Sequence, residues 1–492
     1  MARLLEDVSG KIQNFHCPPD RQKPCGARKR MSAPIVNPGS FRDPGSRVFE
    51  RDGRIFRAIW QRSAADYEAV RDSGLLQELV DRGMLVATRE VDPAEVNIAP
   101  EPVYILEHER LPFLSYPYEW PFALLQRAAL FHLDLQLTAL DRGFTLSDAT
   151  AYNIQFLATR PVFIDHLSFR PYVESEVWTG HRQFCMQFLN PLILWSKKGI
   201  SPAPWYRGSL EGISPEDLAQ LLDWKDNLSW TILTHVTGQA ALQRRAIKAD
   251  ASIAPGKQPK LSKIAFKGIL EGLRSYIAKL KNPIKPTVWG DYADHNSYAE
   301  GDAQIKRDFI VKMASAVKPD QMFDIGCNSG DYSVAALEGG AKSVVGFDFD
   351  YGALDSAVAR ADAHGLPFLP VWLDAANPSP SQGWAQAERM GFGRRASAQA
   401  LVALAFVHHI AIGRNVPLDM TVDWLISLAP AGIIEFPPKT DPMVQRLLSN
   451  REDIFPDYSE DHFIAAVTRR AKIVESRSVT AGGRLLLWYQ RH

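Results

Sequence analysis

The sequence predicts an α/β fold for its C-terminal part, preceded by an α+β unit. Three observations carry this. From Trp289 onward, short apolar runs alternate with helix-sized segments, the pattern of a mostly parallel sheet covered on both faces. The chain ends instead on two strand-like runs, Lys472–Val479 and Arg484–Gln490, joined by Ala481-Gly482-Gly483, which predicts an antiparallel closing hairpin. Before residue 246 the strands come in hairpins separated by helices.

The composition suits such a chain. It has 492 residues, 46% apolar and 23% charged, enough to bury cores without disulfides. Its 56 basic and 56 acidic residues give zero formal net charge. That argues against a globally basic nucleic-acid binder and an acidic disordered chain. The longest apolar stretch, Phe122–Leu140, is interrupted by Arg127, His132, Asp134 and Gln136. It reads as an amphipathic helix, so no membrane span is predicted. No apolar segment before a cleavage site opens the chain, and the expected compartment is the cytoplasm. Four cysteines make no disulfide framework. Cys17 and Cys25 have only His16 as a nearby partner, so no metal ligand is assigned.

Taken in order, residues 1–45 are rich in Pro, Gly, Arg and Lys and read as a disordered lead-in, with Met31 an alternative start. Residues 46–245 form the N-terminal α+β domain. Arg47–Glu50 and Arg54–Ile59 flank Asp52-Gly53, a hairpin signal. A helix over 64–82, a strand at Tyr104–His108 and a helix over 121–140 follow. Asn153–Leu157 and Pro161–Ile164 make a second hairpin. Residues 246–285 read as a basic linker and helix. The stretch 244–285 holds eleven Lys/Arg against two acids, with helical spacing from Ile264 to Lys281. Its basic face is either solvated or docks an anionic surface. Residues 286–492 hold the α/β pattern, with strands Met322–Ile325, Ser343–Asp348, Phe368–Leu373, Leu401–Val407 and Ile433–Phe436 before the closing hairpin.

The run from Phe323 to Ser333 follows the first of these strands and opens a helix. Gly326 and Gly330 allow a sharp turn and close approach to a ligand. Asn328 stands at the middle position and tolerates left-handed backbone. This is not the dinucleotide fingerprint, which needs a third glycine. Asp348 ends the second strand, where an acid accepts ribose hydroxyls. Asp374 ends the third, placed to meet an adenine edge. Three acids at successive strand ends, Asp324, Asp348 and Asp374, suit a neutral or cationic adenosyl ligand better than a pyrophosphate. S-adenosylmethionine, with its sulfonium and ammonium, fits.

On the glycine loop, Asp348 and the closing hairpin, the region 286–492 resembles class I S-adenosylmethionine-dependent methyltransferases, which implies a Rossmann-like domain with a seven-stranded sheet. A narrower resemblance covers nearly the whole chain. It rests on Ser40–Pro44, Ser115–Tyr118, Ala149–Phe156, Asn377–Pro380, Gln382–Trp384 and Val407–His409. These runs look like bacterial methyltransferases related to the nodulation protein NoeA. The resemblance implies that Asp324, Gly326, Asn328, Gly330 and Asp348 bind the cofactor, with Asp374 beside the adenine. Tyr298, together with Tyr292 and Lys306, would lie in a lid over it. Gln399 stands where an acid would enter the fourth strand. The implied acceptor is a sugar hydroxyl first and a protein amine second.

A hydroxyl acceptor needs a base. His408 and His409 follow the apolar run Leu401–Val407, at the ligand-binding end of the sheet, and alternation would turn one into the pocket. Glu435, ending the fifth strand, is a further candidate. In the N-terminal domain, Asp148, Asn153 and Asp165 have the spacing of the catalytic loop and magnesium-binding strand of protein-kinase-like folds, with Arg57 at the phosphate-binding lysine position. That resemblance implies ATP and magnesium, and offers a kinase-like phosphotransferase, or a cofactor-sensing regulator, as the alternative function. No glycine-rich loop precedes Arg57, His166 replaces a Phe, and Arg substitutes poorly for Lys there. The domain otherwise reads as the part that selects the acceptor or a partner.

Overall fold

The computed structural model describes residues 32–96, 98–248, 260–283, 300–449, 451–479 and 483–492. Its first sheet is antiparallel: β1 (Ile35–Val36), β2 (Ser46–Arg51), β3 (Arg54–Ile59), β4 (Thr88–Val91) and β5 (Tyr104–His108), in the order β1-β2-β3-β5-β4. The β2–β3 turn forms because Asp52 and Gly53 both take positive φ, 50° and 78°. Two left-handed central residues match the twist of a tight hairpin. The strip 32–45 departs from a disordered lead-in. Ile35 and Val36 pair with Glu50 and Phe49, and Arg42 binds Glu388 at 2.5 Å.

The helix expected over 64–82 is two, Gln61–Asp72 and Leu75–Asp81, because Gly74 turns left-handed between them (φ 78°). A helical body follows, built around the helix Phe122–Asp141, whose Leu124, Leu125, Ala128, Leu135 and Ala139 are fully enclosed. Two small antiparallel pairs sit on it: β6 (Phe144–Leu146) with β9 (Phe169–Pro171), and β7 (Ile154–Leu157) with β8 (Arg160–Phe163). The basic segment is not a free linker where it is described. The helix Lys263–Lys279 buries Phe266, Leu270, Leu273 and Ile277 against this body. Its cations pair across the seam, Lys267 with Asp141 at 2.7 Å and Arg274 with Asp134 at 2.5 Å.

The second sheet has seven strands: β10 (Met322–Ile325), β11 (Val344–Asp348), β12 (Phe368–Trp372), β13 (Ala400–Ala403), β14 (Ala431–Phe436), β15 (Ala471–Ser478) and β16 (Leu485–Arg491). The order is β12-β11-β10-β13-β14-β16-β15, parallel except at β16. The order reverses beside β10. Ligands of open α/β sheets bind at that point, outside the strand ends.

The two halves share one hydrophobic core. Phe113 packs edge-on against Phe323 and Phe347 at 5.9 and 5.8 Å. Buried Glu119 pairs with buried Arg395, and the Ala123 N–H donates to Asp355 at 3.0 Å. Among the described residues no helix is long and apolar enough to cross a membrane.

Candidate functional site

The loop after β10 is folded by three left-handed residues, Gly326 (φ 84°), Asn328 (φ 48°) and Gly330 (φ 89°). A Cβ on Gly330 would come within 2.6 Å of the Phe368 ring, so only glycine fits. Asp348 clamps the loop. Its two oxygens accept from the N–H groups of Asn328 and Asp350, each at 2.9 Å. Burial raises its pKa, and those backbone donors work against the rise. Asp324 lies behind the loop, not on the cavity wall. It accepts from the Ser333 hydroxyl at 2.6 Å, and burial pushes its pKa up to about 7.

In front of the loop is a cavity of about 380 Å³. Gly326, Cys327, Asn328, Asp331 and Tyr332 form one wall, Phe347, Asp348 and Phe349 the next. Leu373, Asp374, Leu404, Phe406, His409 and Ile410 line the rest together with Lys306 and Arg414. The donor set fits an adenosyl sulfonium. Asp348 retains lone pairs for ribose hydroxyls beyond its two backbone bonds. Phe347, Phe349, Leu404 and Ile410 offer apolar walls to an aromatic base. Asp331 and Asp374 also line the cavity, each already paired with an arginine, Asp331 with Arg360 at 2.6 Å and Asp374 with Arg414 at 3.1 Å. At Gly326 it is the left-handed φ that calls for glycine, since a Cβ there would meet Phe406 at an ordinary 3.6 Å. Tyr298 and Tyr292 lie outside the described residues.

The candidate bases separate. The run Leu401–Val407 is not one strand: β13 stops at Ala403, Ala405 turns left-handed (φ 48°) and a short helix, Val407–Ala411, begins. The histidines are therefore set by helical rotation rather than strand alternation, and their rings lie against each other with centroids 4.0 Å apart. His409 lines the cavity. His408 is buried away from it, and neither of its ring nitrogens has a hydrogen-bond partner among the described residues. Burial lowers the His409 pKa to about 4, helped by the Arg484 charge, so it is neutral at pH 7. Glu435 is wholly enclosed and already engaged. It ion-pairs with Lys306 at 2.7 Å and accepts from the Ala405 N–H at 2.6 Å. It is not among the residues that line the cavity.

The sequence reading missed Phe349, Phe406, Ile410 and Arg414. Phe349 directly follows the strand-end acid and Phe406 precedes the histidine pair by one residue. Proximity to those markers was the available signal. Phe347 has two faces of duty, since it walls the cavity and also receives Phe113 from the N-terminal body.

The four kinase-like positions also come together. Arg57 on β3 reaches Asp165 at 3.0 Å. The Asn153 amide lies 3.3 Å from both Asp148 and Asp165, and Ser168 lies 2.8 Å from each. Burial, then the Asp165 charge, pushes the Asp148 pKa up to about 6. The cluster is closed on itself: Arg57 neutralises the acid that would otherwise face a cation.

The C-terminal half of the chain has relatives among known methyltransferases. Residues 310–366 match the family described as "Ribosomal protein L11 methyltransferase (PrmA)". The Ribosomal protein L11 methyltransferase of Shewanella sp. (strain W3-18-1) is 45% identical over 47 residues, 10% of this chain and 16% of that one. The solved N-methyltransferase NodS from Bradyrhizobium japonicum WM9 aligns with 39% of this chain and 97% of its own, at 12% identity and a TM-score of 0.29. The Nodulation protein NoeA of Rhizobium meliloti (strain 1021) is 44% identical over 456 residues, covering 92% of this chain and 95% of that protein. The chain thus belongs to the NoeA family, and its C-terminal unit is a class I S-adenosylmethionine-dependent methyltransferase domain.

Proposed function

We propose that this enzyme methylates a hydroxyl of a surface or signalling glycan, with His409 as the base. The observation that carries it is the place of His409 on the wall of the cavity that the cofactor loop also lines, with its imidazole neutral at pH 7. An alcohol must lose its proton as it attacks the methyl carbon, and a neutral imidazole accepts it. The relative that spans nearly the whole chain is a nodulation protein, and we place a signalling glycan ahead of a protein amine on that likeness.

In this reading, Asp348 and the Gly326–Gly330 loop hold the adenosyl group. S-adenosylmethionine supplies the activated methyl group when bound. The rest of the work is positioning and exclusion of water. The N-terminal body, whose Phe113 backs the Phe347 wall, selects the acceptor.

The test is transfer of labelled methyl groups into fractionated lysate from a strain lacking the gene. Label in a polysaccharide or lipid-linked glycan fraction is expected. Label confined to protein would replace the hydroxyl reading with the amine one. Calorimetric titration with S-adenosylmethionine and S-adenosylhomocysteine checks the cofactor separately.

A further inference from the structure

Outside the lining of the methyl-transfer cavity, the fold gathers three metal-ligating side chains from two segments of the chain. His181 and Cys185 stand one turn apart on the segment His181–Leu189, on one helical face. His235 comes from a second segment, Leu233–Thr237. The His181 Nε2 lies 2.8 Å from the His235 Nδ1 and 3.7 Å from the Cys185 sulfur. One ligating atom from each residue falls within 4.8 Å of the others. Cys185 and His235 both sit in π-helical turns, Cys185–Leu189 and Leu233–Thr237. Such turns concentrate at functional sites.

We propose that His181, Cys185 and His235 form a transition-metal site, of a kind suited to Zn(II), with a fourth position open. Tetrahedral bonds of the usual Zn–S and Zn–N lengths place sulfur and nitrogen about 3.6 Å apart and two nitrogens about 3.4 Å apart. The Cys185–His181 edge already matches; the imidazoles must part by about half an ångström, and the Cys185–His235 edge, within 4.8 Å, has to settle at the same sulfur–nitrogen spacing. Nitrogen with thiolate selects Zn(II) or another borderline-soft ion over magnesium or calcium, which prefer oxygen. The surroundings carry the outer contacts such a centre needs. The Gln239 amide lies 2.8 Å from the His181 Nδ1. A half-turn of that amide puts its carbonyl there, fixing the proton on Nδ1 and leaving Nε2 for the metal. Trp178 and Phe184 pack around the site as an apolar shell, the Trp178 ring 5.4 Å from His181.

Binding releases the Cys185 thiol proton to solvent and forms a sulfur–metal bond, with no change of oxidation state. The ion would staple the helices on either side of residues 200–230. Its open position could take water or an exogenous donor.

Cobalt(II) titration of the full-length, metal-stripped protein tests this. One equivalent should bind, giving a sulfur-to-metal charge-transfer band and the intense visible bands of a four-coordinate ion. Zinc should displace it. Cys185→Ser should abolish the charge-transfer band with the far-ultraviolet circular dichroism unchanged. His235→Gln, at a half-buried position, should weaken binding roughly tenfold or more. The Cys17→Ser, Cys25→Ser double variant should keep the band. Absence of a charge-transfer band in the unmodified protein would overturn the site, as would a band that persists in Cys185→Ser.

Discussion

Lys306 and Glu435 form an ion pair of 2.7 Å at the cofactor cavity, with both side chains almost wholly enclosed. Lys306 comes from the helix Glu300–Val317 and Glu435 from β14, so the pair bolts a helix to the sheet. Arg484, 3.5 Å away, adds a second cation. Removing one partner of a buried pair strands the other's charge. Glu435→Gln is expected to lower unfolding free energy by about 3 kcal/mol or more. Urea unfolding measures this. A catalytic role for Glu435 predicts instead unchanged stability with lost turnover.

Asp348 holds the loop and, in our reading, the ribose. Asp348→Asn keeps the shape but weakens the charged hydrogen bonds. Affinity for S-adenosylmethionine should fall by about 2 kcal/mol, roughly thirtyfold. Calorimetric titration reads this directly. Unchanged affinity would remove Asp348 from the cofactor site.

His409 and His408 give opposite expectations. His409→Gln should lower kcat on a hydroxyl acceptor by roughly a hundredfold or more, with cofactor affinity nearly unchanged. His408→Gln should affect stability rather than turnover. The base-competent form of His409 is the neutral one, present above its pKa of about 4. The acidic limb of the rate profile should therefore fall near pH 4, not near the ordinary histidine value. A limb near pH 6.5 retained in His409→Gln would assign it to another group.

Asp324 makes stability depend on pH. Its folded pKa, about 7, lies above the ordinary 3.8, so the folded state holds a proton that the unfolded chain releases. Its contribution is complete below about pH 4 and is lost as pH rises to about 7. The unmodified protein should lose up to about 4 kcal/mol relative to Asp324→Asn across that window. Chemical denaturation of both proteins at pH 5 and pH 8, without cofactor, should read about 3 kcal/mol of this, the part that falls above pH 5.

The C-terminal sheet was legible because its strands are short apolar runs with turn residues at their ends. Asp348 could be read for the same reason: a strand-end acid after a glycine loop has few other uses. The fate of Glu435 was not, because it depends on Lys306, 129 positions earlier in the chain. The His408–His409 pair was found but misoriented. Apolar Leu404 to Val407 continue the strand pattern, whereas the left-handed Ala405 that ends it carries no sequence mark. Arg57, Asp148, Asn153 and Asp165 were read as a kinase-like set and do meet. Their closure into an ion-pair network is a tertiary property. The His181, Cys185 and His235 cluster escaped entirely, since fifty residues separate its two helices.

The packing of Phe113 onto Phe323 and Phe347 has a bearing on how the protein can be divided. Those two rings belong to the strands that frame the cofactor loop, and in a solitary catalytic fragment they would be wet. Residues 286–492 expressed alone should aggregate or fold loosely, and the intact chain should melt in a single calorimetric transition. The acceptor-selecting half would then be no detachable accessory, and a lineage could not shed it without first repaving the back of its own active centre.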